Sequence, residues 1–221
     1  MSEPAKQAQT APTAVQSGLI LAAVAAICTT LVALTFNVTK ARIAANEQAF
    51  LELSLAPVLA GKSFDNDINA SAISLPAPHV LPGKEAAVIY PLFENGLPVA
   101  ALFAVTAEDG FSGPIRLLVG VDTDGDVTGV RVLEHRETPG LGDGIDETKS
   151  DWIHVFDGRS LDSPDREEWT IRRDGGAFDQ LTGASVTSRS VVKAVAQTLL
   201  YFEVNRERIF ETTANKEKGD D

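Results

Sequence analysis

The sequence predicts an α+β fold: a single N-terminal transmembrane helix, then a domain of antiparallel strands with flanking helices. Three observations carry this. Gly18 to Val38 is an unbroken stretch of 21 residues without a charge. Two apolar runs joined by turn residues occur twice between Ala86 and His135. Val191, Val195, Leu199 and Phe202 then repeat at helical spacing near the C-terminal end. The order helix, strands, loop, helix suggests an α+β domain carried on a membrane anchor.

Residues 1–17 are polar and small, and are expected to be a disordered tail. The run 18–38 follows, and at about 1.5 Å per residue it spans roughly 30 Å, the thickness of a bilayer's hydrocarbon core. A signal peptide would be shorter, with a basic front and small residues at a cleavage point. Here Glu3 offsets Lys6, and the apolar stretch continues to Phe36. Membrane lipid is therefore the expected partner of residues 18–38. Lys40 and Arg42 behind the span, against Lys6 before it, lean weakly towards a cytoplasmic C-terminal domain. Ile43, Phe50, Leu51 and Leu55 continue one helical face until Pro57 stops it.

The folded domain is expected over residues 43–210. Residues 61–85, with Gly, Asn, Asp and Pro, read mostly as loop. "AAVIYPLFENGLPVAALFAV" reads as a hairpin about Asn95-Gly96. "IRLLVGVDTDGDVTGVRVLEH" reads as a second one. Asp122, Asp124 and Asp126 in its turn resemble an EF-hand start, but Gly125 sits at loop position 4 and Leu133 stands at position 12. An acidic turn is the better reading. "WTIRRDGGAFDQL" is expected to add a strand around Trp169 to Arg172, and the stripe from Val191 marks a helix beginning near Arg189. Residues 211–221 are charged and expected to fray.

Composition narrows function by exclusion. A formal charge of −12 without a basic stripe argues against a nucleic-acid partner. A single cysteine, Cys28, rules out an intrachain disulfide or a multi-cysteine metal cluster. His79, His135 and His154 show no metal-ligand spacing. No acid, base and nucleophile set stands out, so stand-alone catalysis stays an open question.

Two stretches can hold chemistry. In "EHRETPGLGDGID", Pro139, Gly140, Gly142 and Gly144 disfavour regular structure and let the backbone approach a flat ligand; the plain alternative is a surface connection. In "DQLTGASVTSRSVV", Thr187 and Ser188 stand where a helix starts, and unpaired N–H groups there suit a phosphate; the plain alternative is an N-cap.

The segment Asp179-Gln-Leu-Thr182-Gly183-Ala184-Ser185-Val-Thr187 resembles the flavinylation sequence of FMN-binding domains, in which a flavin transferase moves FMN from FAD onto a threonine. Ser185 replaces the more usual threonine. His135 and Glu137-Thr138-Pro139-Gly140-Leu141-Gly142 resemble that domain's other signature. Behind one anchor, in this order, the chain is similar to the G subunit of the Rnf (Rsx) electron transport complex. The C subunit of the sodium-translocating NADH:quinone reductase shares the domain but is usually longer. The resemblance implies covalent FMN on Thr187 as a phosphoester, with Thr182, Gly183, Ala184, Ser185, Ser188, Glu137, Thr138, Gly140 and Leu141 around it. It implies relay between ferredoxin and NAD coupled to ion translocation, other Rnf subunits as partners, and a bacterial inner-membrane location with the domain in the periplasm. That location opposes the charge count, but large domains are translocated despite flanking charges. The competing class is a non-redox anchored domain that binds a ligand or scaffolds a complex, with Thr187 only a cap.

Overall fold

Strands β1 (Ile73–Leu75), β2 (Ala87–Glu94), β3 (Leu97–Ala107), β4 (Ile115–Asp122) and β5 (Val127–Glu134) form one antiparallel sheet in sequence order. The computed structural model describes residues 14–59 and 61–217, without the side chains of residues 14–16, 37, 41–57 and 212–217. Helix α1 covers Ala14–Val58, the short α2 Ile68–Ser71, and α3 Ser185–Glu217. The α+β arrangement is the expected one. Residues 14–17, expected in the tail, are already helical, and α3 continues through residues expected to fray. Residues 1–13, 60 and 218–221, and the side chains of Ile43, Phe50, Leu51 and Leu55, lie outside the described residues.

The chain divides into two units between Phe50 and Leu51. In the first, Ser17–Lys40 is long and apolar enough to cross a membrane. Its Leu19, Leu21, Leu31 and Phe36 side chains are exposed, so a buried core helix is not what the run forms. Thr30 and Thr35 return their hydroxyls to the carbonyls of Ala26 and Leu31, 2.7 and 2.8 Å away. Such local bonds satisfy polar groups that lipid cannot.

In the second unit both predicted hairpins are present. Asn95 (φ +52°) and Gly96 (φ +75°) make the first turn, whose paired positive angles match the twist of the flanking strands. In the second, Asp122 Oδ1 accepts the N–H groups of Asp124 and Asp126 at 2.9 and 3.0 Å, which is the acidic turn expected. Pro91 is tolerated because β1 pairs only with Ala87–Ile89. Beyond it Asn66 closes the strand edge: its Oδ1 accepts the Phe93 N–H and its Nδ2 donates to the Pro91 carbonyl.

The sheet is covered on both faces, which explains the near-continuous apolar strands. Ile89, Phe103, Val119 and Val130 lie side by side across four strands. They pack on the α3 stripe, of which Val191, Val195, Leu199 and Phe202 are all buried. On the other face Leu102 and Leu118 pack with Val58 and Leu59. Gly120 leaves room for this, since a Cβ there would stand 2.6 Å from Val58 Cγ1 and 2.3 Å from Thr128 Oγ1.

The strand expected around Trp169–Arg172 is not formed. Two 3-10 turns, Arg166–Glu168 and Arg172–Asp174, flank a single bridge between Ile171 and Phe178. Packing overrides the strand-like pattern. Trp169 sits 4.7 Å from Phe178 and stacks on Phe156, while Gly176 lies so close to Thr170 that a Cβ would meet its carbonyl oxygen at 2.1 Å.

Gly120→Ala should lower the stability of this domain by about 1–3 kcal/mol, the usual range for overpacking. Urea denaturation of a chain starting near Ile43 measures it, and an unchanged midpoint would refute the packing described for Val58.

Candidate functional site

The loop after β5 and the turn before α3 meet through one buried pair. Glu137 and Thr187, fifty residues apart, are 4% and 0% exposed, and Thr187 Oγ1 donates to Glu137 Oε2 at 2.6 Å. The other carboxylate oxygen, Oε1, accepts the backbone N–H of Ser112 at 3.0 Å. Both contacts join segments that are distant along the chain. The Glu137 N–H itself donates to the nearby His135 Nδ1.

Local backbone chemistry builds each part. The Thr138 carbonyl accepts the N–H groups of Leu141, Gly142 and Asp143, folding 138–143 into a tight turn with Gly140 at φ +77°. Gly142 is required by proximity, because a Cβ there would lie 2.7 Å from Glu137 Oε2 and 3.0 Å from Thr187 Oγ1. Across from it, Gly183 (φ +79°) turns the chain into α3. Ser188 is buried, its hydroxyl donating to the Ala184 carbonyl and accepting the Leu181 N–H. Trp152 Nε1 holds the approach to this turn through the Asp179 carbonyl at 2.6 Å.

Helix α3 therefore begins at Ser185, not near Arg189, and Thr187 lies in its first turn. Its first i→i−4 bond runs from Ser188 N–H to Ala184 C=O, so the N–H groups of Ser185, Val186 and Thr187 precede the helical ladder.

A cavity of about 290 Å³ opens at this junction. Of the ten positions expected from the sequence, seven line it: Glu137, Thr138 and Leu141 from one side, Gly183, Ala184, Ser185 and Thr187 from the other. Thr182, Ser188 and Gly140 do not. The remaining lining comes from Phe111, Gly142, Arg173 and Val186, which were not among those ten. Phe111, Leu141 and Val186 are exposed while Thr187 and Glu137 are buried, so the cavity runs from an apolar rim inward to the hydroxyl–carboxylate pair. The signal for Phe111 was "GFSG" between two strands, an aromatic in a glycine loop. Gly110 permits that loop, as a Cβ there would lie 2.9 Å from Glu137 Oε1.

Arg189, two residues beyond Thr187, is engaged away from the cavity: its Nε and Nη2 reach Asp174 at 2.5 and 3.0 Å. The side-chain hydrogen bond from Arg189 holds the Asp174 carboxyl below the usual carboxylate range. This pairing therefore contributes above the ordinary carboxylate range and is lost as pH falls through the depressed one.

Residues 110–200, which contain every lining residue, match the family model for the FMN-binding domain, and residues 2–58 match that for the RnfG N-terminal region. The G subunit of the ion-translocating oxidoreductase complex of Aliivibrio fischeri is 40% identical, covering 91% of this chain and 96% of its own. Those of Shewanella oneidensis and Photorhabdus laumondii are 40% and 43% identical, covering 94% and 91% of this chain and 98% and 96% of theirs. The chain belongs to the G subunit family of these complexes. Of the two subunit families named from the sequence, the likeness over most of the chain and the N-terminal region both select this one.

Within the domain of this G subunit, Thr187→Val keeps the side-chain shape and removes the only hydroxyl donating to Glu137 Oε2 among the described residues. It should destabilise the domain by about 1–3 kcal/mol, because a buried acceptor loses its donor. Chemical denaturation tests this; equal stability would mean that the pair does not hold the two segments together.

Proposed function

We propose that the chain is a membrane-anchored electron-transfer subunit carrying FMN as a phosphoester on Thr187, in an Rnf complex that couples ferredoxin and NAD electron transfer to ion translocation. One observation carries the reading: Thr187, the acceptor position of its motif, lines the cavity of a matched FMN-binding domain, and the second motif meets it there through Glu137.

The residues present fit the group. The first-turn N–H groups of α3 and the Arg173 side chain supply positive potential for a phosphate. Gly142 and Gly183 leave the backbone bare where bulk would intrude. Leu141, Phe111 and Val186 offer apolar contact to a flat ring at the rim. At about 290 Å³ the cavity lies at the low end of ligand pockets, roughly 300–1,000 Å³, so part of a flavin would remain outside it. An exposed edge suits exchange of electrons with a partner. Bound FMN supplies chemistry in steps of one or two electrons. The chain's part is to attach and orient it and to keep water from the buried Thr187–Glu137 pair.

A flavin transferase would load the protein, and the other subunits of the complex would be its electron partners. The relatives bear the name of a complex subunit, which supports that assignment. Residues 18–38 would sit in lipid of the inner membrane, with the domain on the periplasmic side.

Co-expression with the transferase and intact-mass analysis test the attachment. Thr187→Ala should lose all covalent flavin, whereas Ser185→Ala should keep at least part; label on Ser185 or Thr182 in the wild type would refute the assignment. Orientation has its own test. Asn69 is exposed, and Asn69→Cys in a Cys28→Ser background should react with a membrane-impermeant thiol reagent in spheroplasts. Labelling only after lysis would place the domain in the cytoplasm.

A further inference from the structure

Glu137 is more than a lining residue. Its carboxylate already accepts the hydroxyl hydrogen of Thr187 at 2.6 Å, inside a buried site. Two physical consequences follow once that hydroxyl is esterified. The hydrogen bond loses its hydrogen, leaving Oε2 facing an ester oxygen with lone pairs on both sides. A phosphodiester anion also arrives beside a carboxylate that is 4% exposed, where like charges repel far more strongly than in water. Gly110 and Gly142 close in on Glu137, so that a Cβ on either would lie 2.9 or 2.7 Å from its carboxylate, and the side chain has little room to turn away.

We propose that Glu137 takes the Thr187 hydroxyl proton during flavin transfer and keeps it afterwards. The inference rests on Thr187 being the FMN acceptor. Thr187 Oγ1 forms a bond to the FMN-side phosphorus of FAD and the pyrophosphate P–O bond breaks. AMP leaves with that bond's electron pair, and the Oγ1 proton moves to Glu137 Oε2. The flavin is neither oxidised nor reduced. Neutral Glu137 then presents an O–H donor to the ester, while its Oε1 keeps the Ser112 N–H. Two charged or titratable groups stand at this site among the described residues. His135 accepts the Glu137 backbone N–H through Nδ1, and Arg173 lines the same cavity. The hydrogen bond to Oε2 comes from Thr187, so its hydroxyl is the proton source in place.

The acceptor thus carries its own general base, and the transferase has to supply FAD binding and leaving-group stabilisation. Glu137→Gln preserves shape but cannot take a proton. Its flavinylation by purified transferase and FAD should be about 10²- to 10⁴-fold slower, the usual range for removing a positioned base. Urea midpoints of the two unloaded proteins control for folding.

A second measurement compares the protons released. Loading the wild type in weakly buffered solution at neutral pH should release almost no proton per flavin, against roughly one for slowly loaded Glu137→Gln. Infrared difference spectra should gain a protonated-carboxyl band on loading of the wild type that the variant lacks. Equal transfer rates for wild type and Glu137→Gln, or release of a full proton by the wild type without that band, would overturn the proposal while leaving attachment intact. A wild type with no flavin on Thr187 overturns the attachment reading and this inference together.

Discussion

The hydrogen bond between Thr187 and Glu137 is the constraint on which the rest of the site depends. A carboxylate this deeply buried is tolerable only with donors on both oxygens, and these come from the β3–β4 loop and from the first turn of α3. Three segments distant in sequence must therefore be in place together. Gly110 and Gly142 belong to the same requirement, because each lies where a Cβ would collide with Glu137. The cavity is what remains when these segments close around the pair.

A second constraint governs what carries the site. Covering both faces of a five-stranded sheet takes apolar surface from two places, and Val58 and Leu59, at the end of α1 and just beyond it, supply part of it. Val58 and Leu59 are buried with Leu102 and Leu118. Residues 58 and 59 are thus core of this unit, which cannot be trimmed back to the sheet without opening that face. The larger face takes α3, whose first turn is also one wall of the cavity. Packing of Val191 and Val195 on the strands fixes the position of Thr187 one turn earlier.

Much of the fold was legible because its signals are local. Asn95-Gly96 and the Asp122–Asp126 turn announce their hairpins, and the Val191–Phe202 stripe announces α3. Thr187 and the Glu137–Leu141 loop, most of which line the cavity, were singled out through their motifs. What escaped depends on contacts between distant segments. The Ser112 N–H reaching Glu137 leaves no trace in side-chain identity, and Phe111 reads as an ordinary loop aromatic. Nor does a Thr–Ser cluster reveal where its helix starts; the Gly183 turn and the Leu181 N–H bound to Ser188 place that start four residues earlier than the apolar stripe implies. At Trp169–Arg172 the strand-like pattern lost to aromatic packing, since Trp169, Phe156 and Phe178 are satisfied without a strand partner.

The electrostatics of the site run against those of the chain. With a formal charge of −12, the surface as a whole repels an anion, so a phosphate can be held only where the local field is reversed. Free N–H groups at the start of α3 and the exposed Arg173 do this at the cavity, while Arg189 is kept from it by Asp174. The same separation divides the polar from the apolar requirements of a bound flavin. Its phosphate end would meet the helix start and be joined to Thr187. Its ring end would meet Phe111, Leu141 and Val186, which are open to a partner. Negative charge around such a ring disfavours adding electrons to it, so the acidic surface would make the flavin harder to reduce than in neutral surroundings. A relay positioned this way is fixed firmly at one end and exchanges electrons at the other, without a catalytic acid or base at the ring.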